Sequence, residues 1–262
     1  MTPALLVVDG LHVRYDGADG RPALQDVSLQ IAQGEFVAIV GPSGSGKTTL
    51  LRCIAGLQGP TRGEVRLNGK VVTDVPDDLA LVFQDYGRSL YPWLRIGENV
   101  GLPLRRLRLP DDERRDRIGA ALAEVGLSDV AERYPYQLSG GMQQRVAIAR
   151  AIAYRPQILL MDEPFASVDA QTRADLQDMA LQIWASHDST VVFVTHDIDE
   201  SVYLADRVVV LSDAPATVAA EIRINLTRPR DQIETRAAPA FVSHRAEVAR
   251  LIHREPPVRQ VP

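Results

Sequence analysis

The chain contains a single cysteine, Cys53, so no internal disulfide framework can hold it, and a reducing compartment suits it. Cys53 lies in an apolar helical run and reads as a buried structural thiol, not a reactive one. No stretch approaches the roughly 20 apolar residues needed to cross a bilayer, so work at a membrane has to go through a partner. Residues 1–9 lack a basic region followed by an apolar run, and no secretory leader is predicted. Positive charge is also short. With 29 Lys and Arg against 34 Asp and Glu, the net charge of -5 leaves no electrostatic footprint for nucleic acid. Aromatics are few and there is no repeat or low-complexity tract, whereas 45% hydrophobic and 24% charged residues describe an ordinary globular chain. At 262 residues it can form one large α/β domain, or a core with a smaller attached subdomain.

Residues 5–15 and 27–31 alternate apolar and polar side chains across a Gly/Asp-rich turn, which predicts a half-exposed antiparallel sheet. Residues 36–40 are continuously apolar and predict a buried strand, followed by a glycine-rich loop and a helix from 47 to about 56. Further strands are expected at 64–67 and 79–83. From 88 to 155 strand-like runs disappear and apolar residues such as Ile118, Leu122 and Val125 fall at helical spacing. This segment predicts an inserted helical subdomain, with the charge run at 105–115 as a solvated face. Strands at 158–161, 190–195 and 207–211 with a helix at 170–186 restore an α/β pattern, implying a parallel sheet with right-handed crossovers. The expected division is a core with its antiparallel subdomain at 1–87 and 156–225, the helical subdomain at 88–155, and a C-terminal extension at 226–262. In that extension a packed helix near 242–252 precedes a loose end marked by Pro256 and Pro257.

Three segments carry chemistry. Gly41-Pro42-Ser43-Gly44-Ser45-Gly46-Lys47-Thr48-Thr49 has the spacing of a phosphate-binding loop. Its glycines let backbone N–H groups converge on an anion, and the helix that follows adds its positive dipole end. Lys47 is expected to reach the β- and γ-phosphates of ATP, and the Thr48 hydroxyl to bind Mg²⁺. The second segment, Ile158-Leu159-Leu160-Met161-Asp162-Glu163, puts two carboxylates at the C-terminal edge of a parallel sheet, where open α/β folds bind ligands. Asp162 suits a Mg²⁺ shell, and Glu163 could act as general base on the attacking water. The third is Leu138-Ser139-Gly140-Gly141-Met142-Gln143-Gln144-Arg145 before a helical run. Ser139, Gly140 and Gly141 form either a second phosphate site or an ordinary helix N-cap. One chain does not need two γ-phosphate sites unless two copies meet head to tail.

In this order, with a lone histidine after a strand, the motifs resemble the ATP-binding cassette of ABC transporters, over about residues 5–230. The resemblance implies a P-loop NTPase fold with a parallel sheet, an N-terminal antiparallel β-subdomain and an inserted helical subdomain. By resemblance, Tyr15 stacks on adenine, with a plain strand tyrosine as the other reading. Gln84 matches the glutamine that contacts Mg²⁺ and water while sensing the transport partner. Ser139, Gly140 and Gly141 match the signature that clamps the ATP of the opposite subunit, Asp169 matches the loop crossing the dimer interface, and His196 matches the histidine at the γ-phosphate. His12, His187, His244 and His253 match nothing. The chain departs from the family in having Val168 where leucine is usual, a conservative change that bears on interface packing.

Three stretches resemble the ATPases of the nitrate/sulfonate/taurine importer group: Tyr91-Pro92-Trp93-Leu94, the run at 195–208, and Thr227-Arg228-Pro229-Arg230-Asp231. Tyr91 and Trp93 could line a groove for a permease helix, or pack within the helical subdomain; both readings stand. The partners implied are a second copy, integral membrane permease subunits and, indirectly, a solute-binding protein, with the chain peripheral on the cytoplasmic face of the plasma membrane. The rival readings are a cytosolic ABC-type ATPase without a transport role, and a P-loop kinase, which the signature motif and the missing acceptor lid disfavour.

Overall fold

The computed structural model describes residues 4–15 and 20–253; the middle of the predicted Gly/Asp-rich turn and the end with Pro256 and Pro257 lie outside them. Strands β1 (Ala4–Arg14) and β2 (Pro22–Ala32) pair antiparallel, as the alternation predicts. On the other edge of β1 lies β4 (Arg62–Leu67), to which the two-residue β5 (Lys70–Val71) is added, in the order β2-β1-β4-β5. Successive strand residues point to opposite faces. Leu6 and Val8 turn inward and, after the irregularity between Val8 and Leu11, so do Leu11 and Val13, together with Val27, Leu29 and Ile31, while Asp26, Ser28 and Gln30 stay outside.

The second sheet follows the order β10-β9-β3-β8-β7-β6. Its parallel members are β3 (Phe36–Val40), β6 (Leu79–Val82), β7 (Ile158–Asp162), β8 (Thr190–Val194) and β9 (Arg207–Leu211). Strand β10 (Val218–Arg223) adds an antiparallel edge. Every residue of β3, β7 and β8 is buried, as expected where both faces of a parallel sheet are covered. Alternate residues serve two cores. Val37, Ile39, Leu160, Val192 and Val194 pack with helix α1 (Lys47–Ile54) and the antiparallel sheet. Phe36, Ala38, Met161, Val191 and Phe193 pack on the opposite face, in the core that takes in the helices.

Between Val82 and Ile158 the chain forms no strand. It forms helices α2 (Tyr86–Ser89), α3 (Ile96–Gly101), α4 (Asp111–Glu124) and α5 (Gly140–Ala153), with short 3₁₀ turns between them. Leu122 and Val125 are buried and Ile118 packs on them, whereas most of the 105–115 charge run is exposed. Helices α6 (Ala170–His187) and α7 (Ile198–Leu204) flank β8, and α8 (Glu234–Ala237) and α9 (Pro239–Ile252) close the described chain. Helix α9 begins three residues before the predicted 242 because Pro239 starts it, its fixed φ suiting a first turn. Phe241 and Val248 anchor α9 on the core.

Candidate functional site

The buried strand β3 ends at Val40 and the chain turns through residues 41–46 into α1. Gly46 stands at the helix N-cap with φ 85°, and a Cβ there would lie 2.8 Å from Cδ2 of Leu24. Only glycine satisfies both conditions. No side chain caps this helix, so its first N–H groups face the loop and remain available to an anion. The Lys47 ammonium donates to the carbonyls of Gly41 and Pro42, each at 2.9 Å. Burial pushes its pKa down, and the negative charges of Glu163 and Asp162 oppose that shift. Thr48 Oγ1 donates to Asp162 Oδ1 at 3.2 Å. Thr49, expected to face phosphate, instead has its hydroxyl paired with the phenol of Tyr15, while the buried Ser45 hydroxyl has no partner.

Two strand ends face this loop. Asp162 is the last residue of β7; burial raises its carboxyl above the usual range, and the Thr48 hydrogen bond opposes the rise. Glu163 follows with φ 43°, a left-handed conformation that costs a non-glycine residue energy and recurs at functional sites. Its backbone N–H is held by the carbonyl of Val194 in β8 at 2.8 Å. Glu163 Oε2 accepts from Gln84 Nε2 at 3.3 Å and lies 3.0 Å from His196 Nδ1. An ionised carboxylate only accepts, so Nδ1 carries the hydrogen and Nε2 points away from Glu163. Tyr15, Ser43, Gly44, Gly46, Lys47, Thr48, Thr49, Glu163 and His196 line one cleft of about 610 Å³.

Among the described residues no group of three or more His, Cys, Asp or Glu is arranged to hold a metal ion. The oxygen pair of Thr48 and Asp162 nevertheless fits Mg²⁺, which takes one or two protein oxygens and completes its shell with phosphate and water. Gln84, also expected at the metal, has its amide turned onto Glu163.

The third motif lies elsewhere. Ser139 Oγ caps α5, accepting from Met142 N at 3.3 Å, so within one chain it is an N-cap. A Cβ at Gly141 would stand 2.7 Å from Cγ2 of Thr172, so this helix end approaches α6 closely. Asp169 caps α6, with its carboxylate accepting from Thr172 N at 3.0 Å and Thr172 Oγ1 at 2.7 Å, bonds that hold its pKa below the ordinary range. Ser139, Gly140, Gly141 and Asp169 thus share one region around Thr172, and none of them lines the phosphate cleft. Ser139, Gly140 and Asp169 are exposed.

Tyr91 and Trp93 are 45% and 69% exposed, with ring centroids 5.2 Å apart, so they do not pack within the helical segment. The buried Asn99 side chain fixes their backbone, accepting from Tyr91 N and donating to the carbonyls of Tyr91 and Leu94.

One element escaped sequence reasoning. Glu200 of α7 is 5% exposed, accepting from Thr195 Oγ1 at 2.7 Å and Gln177 Nε2 at 3.2 Å. Burial raises its carboxyl, against the Thr195 hydrogen bond. Its sequence signal was a carboxylate four residues after His196, on a helix that continues as Val202-Tyr203-Leu204.

The ABC transporter family matches residues 24–166. An uncharacterised ABC transporter ATP-binding protein of Methanocaldococcus jannaschii is 47% identical over 89% of this chain and 85% of its own length. The taurine import ATP-binding protein TauB of Chromobacterium violaceum is 45% identical over 86% of this chain and 85% of its own. The nitrate import ATP-binding protein NrtD of a Synechocystis strain is 42% identical over 88% of each chain. Among solved structures, a dimeric ATP-binding cassette in a post-hydrolysis state, bound to ADP and Pi, is 37% identical with a TM-score of 0.74. That likeness covers 84% of this chain and 99% of the other.

Proposed function

Since the chain belongs to the ABC transporter family of ATP-binding proteins and hydrolyses ATP, we propose that it is the ATPase subunit of an importer for a small solute. The solute we propose is nitrate, a sulfonate such as taurine, or a related compound; the likeness to the taurine and nitrate import proteins supports this. The observation that carries the mechanism is the division of the predicted residues. Lys47, Thr48, Glu163 and His196 share one cleft, while Ser139 and Asp169 are exposed outside it. The cleft therefore lacks its second phosphate-binding end, and a second copy docked head to tail supplies it.

In that arrangement ATP lies between the Lys47 loop of one copy and the Ser139 helix end of the other. Lys47 exchanges the carbonyls of Gly41 and Pro42 for phosphate oxygens, which is favourable because its present partners carry only partial charge. The loop at 41–46, apart from Pro42, which has no N–H, gives backbone N–H groups to the phosphates, Thr49 lies beside them, and Tyr15 offers its exposed ring to adenine. Thr48 and Asp162 would hold Mg²⁺, with Gln84 at its rim, and the metal supplies charge neutralisation on the phosphates. Glu163 takes the proton of the attacking water, held in position by His196 and Gln84 through its Oε2. Asp169 crosses to the partner copy. Closing two copies on two ATP molecules pre-organises the in-line attack.

In the division we propose, residues 1–87 and 156–225 hold nucleotide, 88–155 carry the signature, and a C-terminal extension starts at 226. Tyr91 and Trp93, exposed near the chain that leads from Gln84, are the contacts we propose for an integral membrane permease, since exposed aromatics favour anchor positions. No described helix is long and apolar enough to cross a membrane. The chain then works peripherally on the cytoplasmic face, and a separate solute-binding protein feeds the permease. Co-purification tests this. The importer reading expects a polytopic membrane protein retained by the wild type and lost with Tyr91→Ala/Trp93→Ala at unchanged basal ATP turnover; a chain that never retains one is a non-transport ATPase.

A further inference from the structure

We infer that Glu200 and Gln177 are positioning residues for His196, and that Arg236, in the segment after the last strand, fixes their orientation. The inference rests on the reading of His196 given above. Helix α7 begins two residues after His196, and Thr195 precedes it. Thr195 Oγ1 donates to Glu200 Oε2 and accepts from Asp197 N at 3.0 Å, so one hydroxyl ties both sides of the histidine's turn. Glu200 N in turn donates to Asp197 Oδ1 at 3.1 Å. The turn that presents the imidazole to Glu163 is thus defined by a carboxylate with almost no solvent access.

The polarity of the chain of bonds is set from outside it. Gln177 Oε1 accepts from Arg236 Nη2 at 2.8 Å and from Gln232 Nε2 at 3.3 Å. A guanidinium can only donate, so Gln177 must present its oxygen to Arg236 and its NH₂ to Glu200. Glu200 must then accept on that side, and it accepts again from Thr195. Thr195 is left with lone pairs for Asp197 N. Reversing the Gln177 amide would set NH₂ against guanidinium and oxygen against carboxylate. Arg236 is itself held by the ring of Tyr203, 4.8 Å from its centroid, and by Gln232.

The same segment grips the far end of α7. Arg230 donates to the carbonyls of Val202, Tyr203 and Ala205, three acceptors at the helix terminus. Arg228 donates to the Leu204 carbonyl and to Asp206, and lies 4.1 Å from the Trp184 ring centroid. Residues 228–236 therefore hold the C-terminal end of α7 directly and reach its first turn through Gln177, and His196 stands two residues before that helix. A tertiary shift of this segment is transmitted to the imidazole without touching nucleotide.

The test is a panel on the full chain, reading kcat and KM for ATP. Arg236→Met keeps the stem over Tyr203 and removes the donors. The expected result is a kcat lower by about tenfold, part of the roughly hundredfold that a misplaced catalytic group costs, with KM for ATP within about twofold. Arg236→Lys, which restores one donor, recovers part of the rate. Glu200→Gln, which probes the chain from its other end, lowers kcat in the same way, and the double variant is no worse than the slower single one. In a His196→Ala background, Arg236→Met has no further effect on kcat. Equal losses in both backgrounds, a loss that appears in KM, or an unchanged kcat would overturn the inference. Wild-type turnover by His196→Ala alone would instead remove the role of the histidine, and the panel reads that outcome separately.

Discussion

Glu163→Gln isolates the proton-accepting step. The carboxylate engages His196 and Gln84 through the same oxygen, Oε2, at 3.0 and 3.3 Å. A glutamine that places its carbonyl oxygen there keeps both donors and the left-handed backbone, so the geometry survives and basicity alone is lost. General-base catalysis contributes about 10²–10⁴-fold, so kcat should fall at least a hundredfold, a barrier increase of about 3–5 kcal/mol. Binding should move the other way. The substitution removes a negative charge from the cleft that receives phosphate, and Lys47 keeps its loop. ATP affinity should tighten or change by less than about threefold, below about 0.7 kcal/mol. With hydrolysis stopped, the closed pair accumulates. Phosphate release, equilibrium nucleotide binding and sedimentation with ATP read the three consequences. Turnover at the wild-type rate would refute the assignment of Glu163.

Further outcomes follow from the same geometry. Ser139→Arg puts a bulky cation on the exposed end of α5; monomer ATP binding should stay unchanged while ATP-induced dimers disappear from sedimentation profiles, with a loss of about 1 kcal/mol of stability from the missing N-cap. Tyr15→Phe gives up only the bond to Thr49 and should keep ATP affinity, whereas Tyr15→Ala should weaken it by the roughly 1–3 kcal/mol that stacking a base on an aromatic supplies, measured by nucleotide titration. Asp162 has its folded-state pKa raised by burial, so it opposes folding fully above that pKa, and the penalty fades as pH falls from there to the ordinary carboxylate value. Asp162→Asn should therefore raise the nucleotide-free melting temperature at pH 7, by an amount that shrinks as pH falls through the raised pKa, while ATP turnover is lost. The Cys53 thiol, pushed up to about 11 by burial, should resist alkylation at pH 8 in the folded chain and react once denatured, read by mass spectrometry.

Much of the fold was legible because its signals are local. The continuous apolar run at 36–40 and the alternation at 5–15 each specify burial on two faces or one, and β3 and β1 follow. Motif spacing located the cleft for the same reason, since a loop between a buried strand and a helix has one place to go. The two-residue β5 is too short to stand out from a turn, and the edge strand β10 buries only Ile222 of its six residues. Helix α7 was hidden inside a stretch read for its resemblance, and the role of Glu200 depends on Gln177 and Arg236, brought together only by the tertiary fold. The pairing of Thr49 with Tyr15 and the left-handed backbone of Glu163 are likewise three-dimensional facts, with no pattern of residue types to announce them.

In the proposed arrangement one chain leaves the site open and a second copy completes it. Specific ATP turnover measured against protein concentration, at saturating ATP and without permease, addresses this most directly. A composite site predicts specific activity that rises with concentration and levels off as dimers fill. Specific activity that stays constant down to concentrations where light scattering finds only monomer would contradict it.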